Sequence, residues 1–172
     1  MTLDNLAPKI VMRDEKAFAE LYEKTRKIVY SVCLSVVRNR GVAEELTQET
    51  FITVWGNIQT FRGKGLKLWV ITIAKNKALN ELRKRKREFA VDFSENESIG
   101  GEYAIDAQVE TGLALDFALA RLDLIDRQIV LMKNSGMKTK EIANFLEMPR
   151  GTVSWRYSEA LKILRKYLET EE

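Results

Sequence analysis

The closest grouping of residues that could form a catalytic or metal-binding site in this sequence consists of three glutamates. Glu44, Glu45 and Glu49 fall within one short stretch, and such carboxylates could hold metal ions in a nuclease. The sequence contains no histidine, the commonest general base and metal ligand, and no serine paired with a base lies beside the cluster. The single cysteine, Cys33, lies among valines and a leucine, which favours a small buried apolar role and excludes disulfides and thiolate metal sites within one chain. We therefore predict a protein that is not an enzyme and that binds neither a metal nor a cofactor.

Basic residues are concentrated in one block. Residues 62–87 carry ten basic residues and one acid, whereas residues 88–112 carry seven acids and no base. Residues 1–61 are neutral and residues 113–172 carry a net charge of +1, so the total is +3. A concentrated basic block is the electrostatic pattern expected for nucleic-acid binding. Taken alone, the block is equally well interpreted as a solvated helix end.

Apolar side chains recur at steps of three and four, which predicts an all-α protein. We expect three helices in the first part of the chain, with Asn39 to Gly41 ending the first of them and a glycine-containing loop at residues 62–65 before the third. Their expected bounds are Glu15 to Arg38, Val42 to Asn57 and about Lys67 to Glu88. Residues 89–111 have too little periodic apolar content for a core and are expected to form an acidic linker.

The sequence pattern in the last part of the chain predicts four short helices, and the final two have helix-turn-helix spacing. The expected bounds are residues 113–122, 125–134, 139–146 and 151–168, with Thr139 as a capping residue. Ala143 is small enough to let the last helix approach closely, and Met148 and Pro149 break the chain between the two helices. In this motif the polar face of the second helix enters the major groove of DNA. A helical hairpin in an interaction domain is the alternative, since the pattern is short.

Two blocks of the sequence resemble the extracytoplasmic-function group of the sigma-70 family of RNA polymerase sigma factors. The first resembles sigma domain two and consists of residues 42–55 (VAEELTQETFITVW), Phe61-Arg62-Gly63, Trp69, residues 73–76 (IAKN) and the basic run. The second resembles sigma domain four and consists of residues 118–122 (ALARL), residues 141–143 (EIA), Pro149, residues 151–153 (GTV) and residues 160–161 (AL). The resemblance implies sigma domain two at residues 10–88, an acidic linker at 89–111 and sigma domain four at 112–170.

The resemblance implies that the protein partners are the RNA polymerase core and an anti-sigma factor. Glu45, Gln48 and Glu49 match positions that dock on the clamp helices of the largest polymerase subunit, and the polymerase flap is a further expected contact. An acidic and polar face suits a basic coiled-coil partner. The alternative for these three residues is an ordinary solvated face.

The resemblance also implies contacts with two promoter elements. Asn76 and Asn80 match positions facing the non-template strand of the minus-ten element, where an amide can both donate to and accept from an unpaired base. The loop from Arg62 to Lys67 matches the segment that receives a flipped base. The residues expected at the minus-ten element are Arg62, Lys64, Lys67, Asn76, Asn80, Arg83 and Lys84. Those expected at the minus-thirty-five element are Arg150, Thr152, Ser154, Trp155, Ser158 and Lys162.

Some of these positions keep a second interpretation, and some depart from the family pattern. The two asparagines could be solvated helix residues, and Trp155 could pack under Arg150 rather than contact DNA. The loop between Gly63 and Trp69 is one residue shorter than the usual pattern, with leucines at positions 66 and 68 where phenylalanine and threonine are common. Ser154 and Glu159 stand where basic residues are frequent, and Trp155 replaces a small polar residue. Promoter preference therefore does not transfer from the family.

We therefore predict an alternative sigma factor that binds core polymerase and directs promoter-specific transcription initiation. The main alternative is a stand-alone helix-turn-helix regulator that binds duplex DNA without polymerase. The sequence has no run of about 18 apolar residues, and its first eleven residues include Asp4 and Lys9. We therefore expect no membrane insertion, no signal peptide and a cytoplasmic location.

Overall fold

The computed structural model describes residues 2–93 and 113–169, and every regular element in those two ranges is helical. The chain divides into two compact units, to which residues 2–93 and residues 113–169 respectively belong. The predicted all-α architecture of two small helical domains is confirmed. The predicted acidic linker lies, from residue 94 onward, outside the described residues.

Residues 2–93 form a three-helix core with a short helical segment in front of it. The elements are a 3₁₀ turn Leu3–Leu6, α1 (Ala7–Val11), α2 (Glu15–Val37), α3 (Arg40–Asn57), a 3₁₀ turn Ile58–Thr60 and α4 (Leu66–Phe93). Helices α2, α3 and α4 pack against one another, because each presents an apolar stripe that is buried by the other two. Fully buried members of this core are Leu21, Val29, Val32, Val54, Val70 and Ala74.

Cys33 is part of this core, as the sequence predicts. Its side chain is fully buried, and its Sγ lies 4.0 Å from the carbonyl oxygen of Ala74 on α4. Burial raises the pKa of the Cys33 thiol to about 12, since the apolar surroundings disfavour the thiolate.

The junction between α2 and α3 differs from the sequence prediction. Arg38, not the stretch from Asn39 to Gly41, ends α2, with a left-handed φ of +54° and its N–H donating to the carbonyl oxygen of Leu34 at 2.9 Å. Asn39 instead starts α3, because its Oδ1 accepts a hydrogen bond from the Val42 N–H at 3.0 Å. The second helix therefore begins at Arg40 rather than Val42. Asparagine suits both a helix end and a helix start, and the structure selects the second use.

Residues 2–11, for which the sequence predicts no element, pack into the first unit. Leu6, Ala7 and Ile10 are buried, and the segment contacts α2, the start of α4 and the 3₁₀ turn at Ile58–Thr60. Asp14 then caps α2, accepting hydrogen bonds from the N–H groups of Lys16 and Ala17 at 3.0 and 3.2 Å. At the other end of the unit, α4 continues five residues past its predicted end at Glu88, to Phe93.

The second unit contains the four predicted helices; the one predicted at residues 139–146 has these bounds, and the other three have shifted ends. They are α5 (Leu113–Ala120), α6 (Leu124–Asn134), α7 (Thr139–Leu146) and α8 (Arg150–Leu168). Helix α8 packs against each of the other three, so it forms the centre of the unit. The core consists of Ala118, Leu119, Leu122, Val130, Ala160 and Leu164, with Leu131, Tyr157 and Leu161 packed against it.

The predicted capping role of Thr139 is wrong. Thr139 is the first residue of α7, and Lys138 is the N-cap. The Glu141 carboxylate accepts a hydrogen bond from the Lys138 N–H at 2.8 Å, while the Thr139 hydroxyl oxygen accepts one from the Lys133 ammonium at 3.0 Å. The glutamate therefore satisfies the helix start, and the threonine connects α7 to α6.

Candidate nucleic-acid and polymerase interfaces

The loop before α4 exposes basic side chains on a glycine-dependent turn. Gly63 and Gly65 have φ values of +93° and +90°, a conformation that other residues adopt only with strain. Arg62 and Lys64 are exposed, and Lys67, in the first turn of α4, is half-buried. The three predicted basic residues therefore lie along one loop and the helix start that follows it.

An aromatic pair connects the two ends of this loop. The rings of Phe61 and Trp69 lie 5.5 Å apart, centroid to centroid. Between them, Leu66 is fully buried, whereas Leu68 is exposed at 43%. The shortened loop is therefore closed by apolar contacts on its inner side, while its outer side is basic.

The two predicted amide side chains lie on the exposed surface of α4. Asn76 and Asn80 are both exposed and are separated by one helical turn, about 6 Å along the axis. Asn80 Oδ1 accepts a hydrogen bond from Arg83 NH1 at 3.4 Å, one turn further on. The amides therefore lie between the basic loop at the start of α4 and the basic run at its end.

The basic run at residues 83–87 is largely exposed. Arg85 is the half-buried member, and its Nε lies 2.9 Å from a carboxylate oxygen of Glu81, one turn earlier on the same helix. The predicted contacts Arg83 and Lys84 are both exposed. Exposed cations along one helix suit the phosphates of a nucleic-acid strand.

The predicted polymerase-docking residues lie together on the outer face of α3. Glu45, Gln48 and Glu49 are all exposed. Glu49 Oε2 also lies 3.8 Å from Lys77 Nζ on α4, a distance at which the exposed pair contributes little stability. The face is therefore acidic and polar, and one of its charges is shared with the neighbouring helix.

An open apolar groove of about 600 Å³, which was not predicted from the sequence, adjoins this face. Gln48 belongs to both the face and the groove, and Ile52, one turn further along α3, is 71% exposed. Edge-to-face aromatic contacts build the groove wall, including Phe18 against Trp55 at 4.9 Å. The residues that line the groove are Glu15, Phe18, Tyr22, Gln48, Phe51, Ile52 and Trp55. Ile52 on an otherwise polar face is the sequence signal that could have revealed it.

Helices α7 and α8 have the geometry of a helix-turn-helix. Glu147 ends α7 with a φ of +55°, the Met148 N–H donates to the Ala143 carbonyl oxygen at 2.9 Å, and Pro149 is the N-cap of α8. Ile142, Ala143 and Val153 are buried at the junction between the two helices. The arrangement leaves the start of α8 at the surface, where a recognition helix meets base edges.

The side chains predicted to contact the minus-thirty-five element follow the outer surface of α8. Trp155 is 64% exposed, so it is not packed away under Arg150. The ammonium of Lys162 lies 2.7 Å from the Glu159 carboxylate, on an exposed part of the helix. Of the predicted set, Thr152 alone is half-buried, and the exposed members are Arg150, Ser154, Trp155, Ser158 and Lys162.

Arg156 was not predicted, yet it fixes α8 to α6. Its NH1 lies 2.9 Å from Asp126 Oδ1 and 3.4 Å from Asp123 Oδ2, and Asp123 is itself the N-cap of α6. The pKa of Asp126 is raised, first because burial disfavours its charged form and second because Asp123 lies close, while Arg156 acts in the opposite direction. The sequence contains no local signal of this contact, because the arginine lies 30 residues or more after the two aspartates.

The part of the chain that the structure describes contains no group of three or more histidine, cysteine, aspartate or glutamate side chains placed to hold a metal ion. Within the same residues, no helix is both long and apolar enough to cross a membrane. The geometry thus defines a class: two helical units, one with a basic loop and amide-bearing helix, the other with a helix-turn-helix.

Comparison with known proteins identifies the family within that class. Residues 21–88 match the model for sigma-70 region 2, and residues 112–164 match that for sigma-70 region 4. The chain is 30% identical to the ECF RNA polymerase sigma factor SigK of Mycobacterium tuberculosis, over 97% of this chain and 94% of that protein. It is 29% identical to SigK of Mycolicibacterium vanbaalenii, over 96% and 89% respectively.

A solved structure agrees with this assignment. The sigma factor RpoE from Bartonella quintana, in complex with the anti-sigma factor NepR, matches with 26% identity and a TM-score of 0.67, covering 91% of this chain and 99% of that one. The chain belongs to the sigma-70 family, in its extracytoplasmic-function group. It is an alternative sigma factor that directs transcription initiation, as the sequence predicts.

Proposed function

We propose that the outer face of α3 binds the RNA polymerase core and that the two units read two different states of promoter DNA. Helix α8 would read the duplex of the minus-thirty-five element, and α4 with its loop would read the minus-ten strand after the duplex opens. The observation that supports this division is the placement of Asn76 and Asn80. They are exposed on the helix that begins at the basic loop, in a unit separate from the helix-turn-helix.

Charge and hydrogen bonding favour the single strand as the ligand of α4. Amides placed one turn apart match the donor and acceptor groups on the Watson–Crick edges of unpaired bases, which are occupied by pairing in a duplex. Cations stand on both sides of the amides, in the loop at Arg62 and Lys64 and in the run that starts at Arg83. A strand that followed α4 would therefore meet cations at its phosphates and amides at its bases.

The test of this function is transcription from a library of genomic fragments by purified core polymerase with the protein added. We expect a defined set of start sites that depend on the protein and share two sequence elements. Duplex binding without polymerase-dependent transcription would instead favour a stand-alone helix-turn-helix regulator. The absence of both would contradict the proposal.

The acidic face of α3 and the groove beside it together suit the polymerase clamp helices, a basic coiled coil with apolar side chains. Glu45→Lys combined with Gln48→Ala is expected to weaken core binding at least tenfold, because it replaces attraction by like-charge repulsion. Co-elution with core polymerase and titration by fluorescence anisotropy measure the effect, and circular dichroism should show unchanged helical content. Glu23→Lys, an exposed charge reversal on α2, is the matched control. Wild-type affinity of the double variant would assign docking to another surface.

We further propose that an anti-sigma factor binds this sigma factor, as NepR binds the sigma factor of Bartonella quintana. The groove supports this, since an apolar helix face could cover Ile52 and the half-buried Phe18. Affinity purification from its own cells should recover one partner in equal amount and without polymerase. Ile52→Asp should reduce that recovery, and an unchanged recovery would exclude the groove as the site.

We propose no catalytic role for the chain itself, since the chemistry of RNA synthesis belongs to the polymerase. Its ligands on this proposal are core polymerase and promoter DNA, which lie in the bacterial cytoplasm, and we propose that it acts there. Nucleotide incorporation by core polymerase on a nicked, promoter-free template should therefore be unchanged by the protein.

A further inference from the structure

Asp4, in the 3₁₀ turn before α1, contacts the basic loop from a distant part of the sequence. Its Oδ1 accepts a hydrogen bond from the Gly65 N–H at 3.0 Å and a second from the Leu66 N–H at 2.7 Å. Both donors belong to the start of α4, where backbone N–H groups have no acceptor within the helix. One carboxylate oxygen thus satisfies two groups of the loop-helix junction.

The contact replaces a cap that the local sequence lacks. Gly65 is the N-cap residue of α4, because its carbonyl oxygen accepts the first helical hydrogen bond, from the Trp69 N–H at 2.9 Å. An N-cap residue normally offers its own side-chain oxygen to the helix start, and glycine has none. Asp4 supplies an oxygen from 61 residues away. The left-handed φ of Gly65 keeps a side chain from taking over this role locally.

The segment that carries Asp4 packs against the first unit. Leu6 and Ile10, two and six residues further on, are buried against the first unit. The match to sigma-70 region 2 begins at residue 21, so this segment lies outside it. The buried neighbours therefore fix the position of Asp4, and its side chain forms hydrogen bonds with the loop-helix junction.

We propose that Asp4 is a positioning residue for recognition of the open minus-ten strand. By holding Gly65 and Leu66, it keeps the loop that carries Arg62 and Lys64 in the conformation that receives a base. The inference rests on the proposed function of this loop. Without the contact, the loop would populate other conformations, and the apparent affinity for the strand would fall in proportion to the competent fraction.

A purely electrostatic role for Asp4 makes the opposite prediction. A carboxylate beside a basic loop would repel phosphates, so any loss of its charge would tighten binding to DNA. Two substitutions separate the position of the oxygen from its charge. Asp4→Asn keeps the oxygen in place and loses the charge, whereas Asp4→Glu keeps the charge and displaces the oxygen by one methylene.

The experiment uses holoenzyme assembled from core polymerase and the full chain. Its probe is a labelled single-stranded oligonucleotide carrying the non-template minus-ten sequence of a promoter recovered in the transcription test. We expect Asp4→Ala and Asp4→Glu to weaken binding about three- to tenfold, the size of effect typical for a lost cap, and Asp4→Asn to bind within about twofold of wild type. Binding of a duplex carrying the upstream element should not change.

Asp14→Ala is the matched control, because it removes a carboxylate cap of similar geometry from α2 without touching the loop. It should lower the thermal midpoint about as much as Asp4→Ala while leaving single-strand binding unchanged. Wild-type binding by both Asp4→Ala and Asp4→Glu would overturn the inference, as would equal weakening by Asp14→Ala or tighter binding by Asp4→Asn. If Asp4→Ala does not fold, the Asn and Glu variants decide alone. Failure of the wild-type holoenzyme to bind the strand would count against the proposed function, not against the role of Asp4.

Discussion

The two units use their charges in different ways. In the run at residues 83–87 of α4, four of the five cations are exposed, and the half-buried Arg85 lies against Glu81. On α8, Lys162 lies against Glu159, and Arg156 is turned inward to the aspartates at the start of α6. The basic run of α4 thus leaves most of its positive charge exposed to a ligand, whereas α8 uses Arg156 and Lys162 in contacts within its own unit.

This difference fits the two states of DNA that the units are proposed to meet. A single strand is flexible and must be held by its phosphates while its bases are read, which requires exposed cations. A duplex presents a rigid groove, so a helix held firmly in one orientation can read it with few side chains. We therefore expect binding to depend strongly on salt through α4 and only weakly through α8.

The largest effect is expected from Asn76→Ala with Asn80→Ala. Each lost base contact typically costs about 1–3 kcal/mol, roughly five- to 150-fold, and the contacts exist only after the strand has opened. Core binding and closed-complex formation should stay near normal, while permanganate reactivity of unpaired thymines at the start site falls. A promoter with a pre-melted bubble should recover part of the lost rate. Normal opening by the double variant would assign strand recognition to other residues.

A smaller effect is expected from Arg156→Ala, which removes the attachment of α8 to α6. Arg156 and Asp126 are mostly buried, whereas Asp123 is more than half exposed, so most of the loss comes from the Asp126 contact. Denaturant unfolding should show the second unit destabilised by about 1–3 kcal/mol. Duplex binding should weaken with it, while binding of the single-stranded probe should not change. Equal weakening of both would show that the two units do not read DNA separately.

The same variant should change the titration of Asp126. Its pKa is raised, so folding makes protonation of this carboxyl easier than in the unfolded chain, and Arg156 limits that rise. Protonation of Asp126 therefore adds stability below the ordinary aspartate pKa, and this gain is lost as the pH rises through the raised value. In Arg156→Ala the carboxyl resonance of Asp126, followed by NMR, should titrate at a still higher pH. A lower pKa of Asp126 in the variant than in the wild type would contradict a direct contact between Arg156 and Asp126.

The smallest effect is expected from Glu159→Ala, which releases Lys162 from its internal partner. Duplex binding should strengthen by up to severalfold, and the dependence on salt should steepen by about one phosphate contact or less. Lys162→Ala should weaken duplex binding and make it less dependent on salt, and a promoter with a pre-melted bubble should not restore the lost binding. Both are measured by anisotropy with the upstream duplex at several salt concentrations. If neither variant changes the salt dependence, Lys162 does not contact phosphate.

The sequence predicted the helices well because their signal is local. Apolar residues at steps of three and four define α2, α3 and α8 wherever a core lies beside them. The ends were less predictable, since Asn39 can end one helix or start the next, and Thr139 and Lys138 compete for one cap. A local pattern cannot resolve such choices, which depend on neighbouring elements.

The candidate sites were predictable as far as they lie on one helix face. The predicted DNA-facing side chains of α4 and α8 are at the surface, but their roles came from the family resemblance and stay predictions. Contacts between distant residues left no trace in the pattern, as Asp4 with Gly65 and Arg156 with Asp126 show. Periodicity reports only local structure, so it cannot predict contacts between polar side chains that lie far apart in sequence.

The buried thiol of Cys33 makes the protein easy to label at one chosen place. With a pKa of about 12, only about one molecule in 10⁵ carries the thiolate at neutral pH, and the packed core shields even that fraction. Since Cys33 is the single cysteine of the chain, a cysteine introduced at an exposed position outside the predicted DNA contacts, such as Asn144 on α7, would be the one reactive thiol. A maleimide dye attached there would report the arrival of the helix-turn-helix at DNA without removal of the native cysteine.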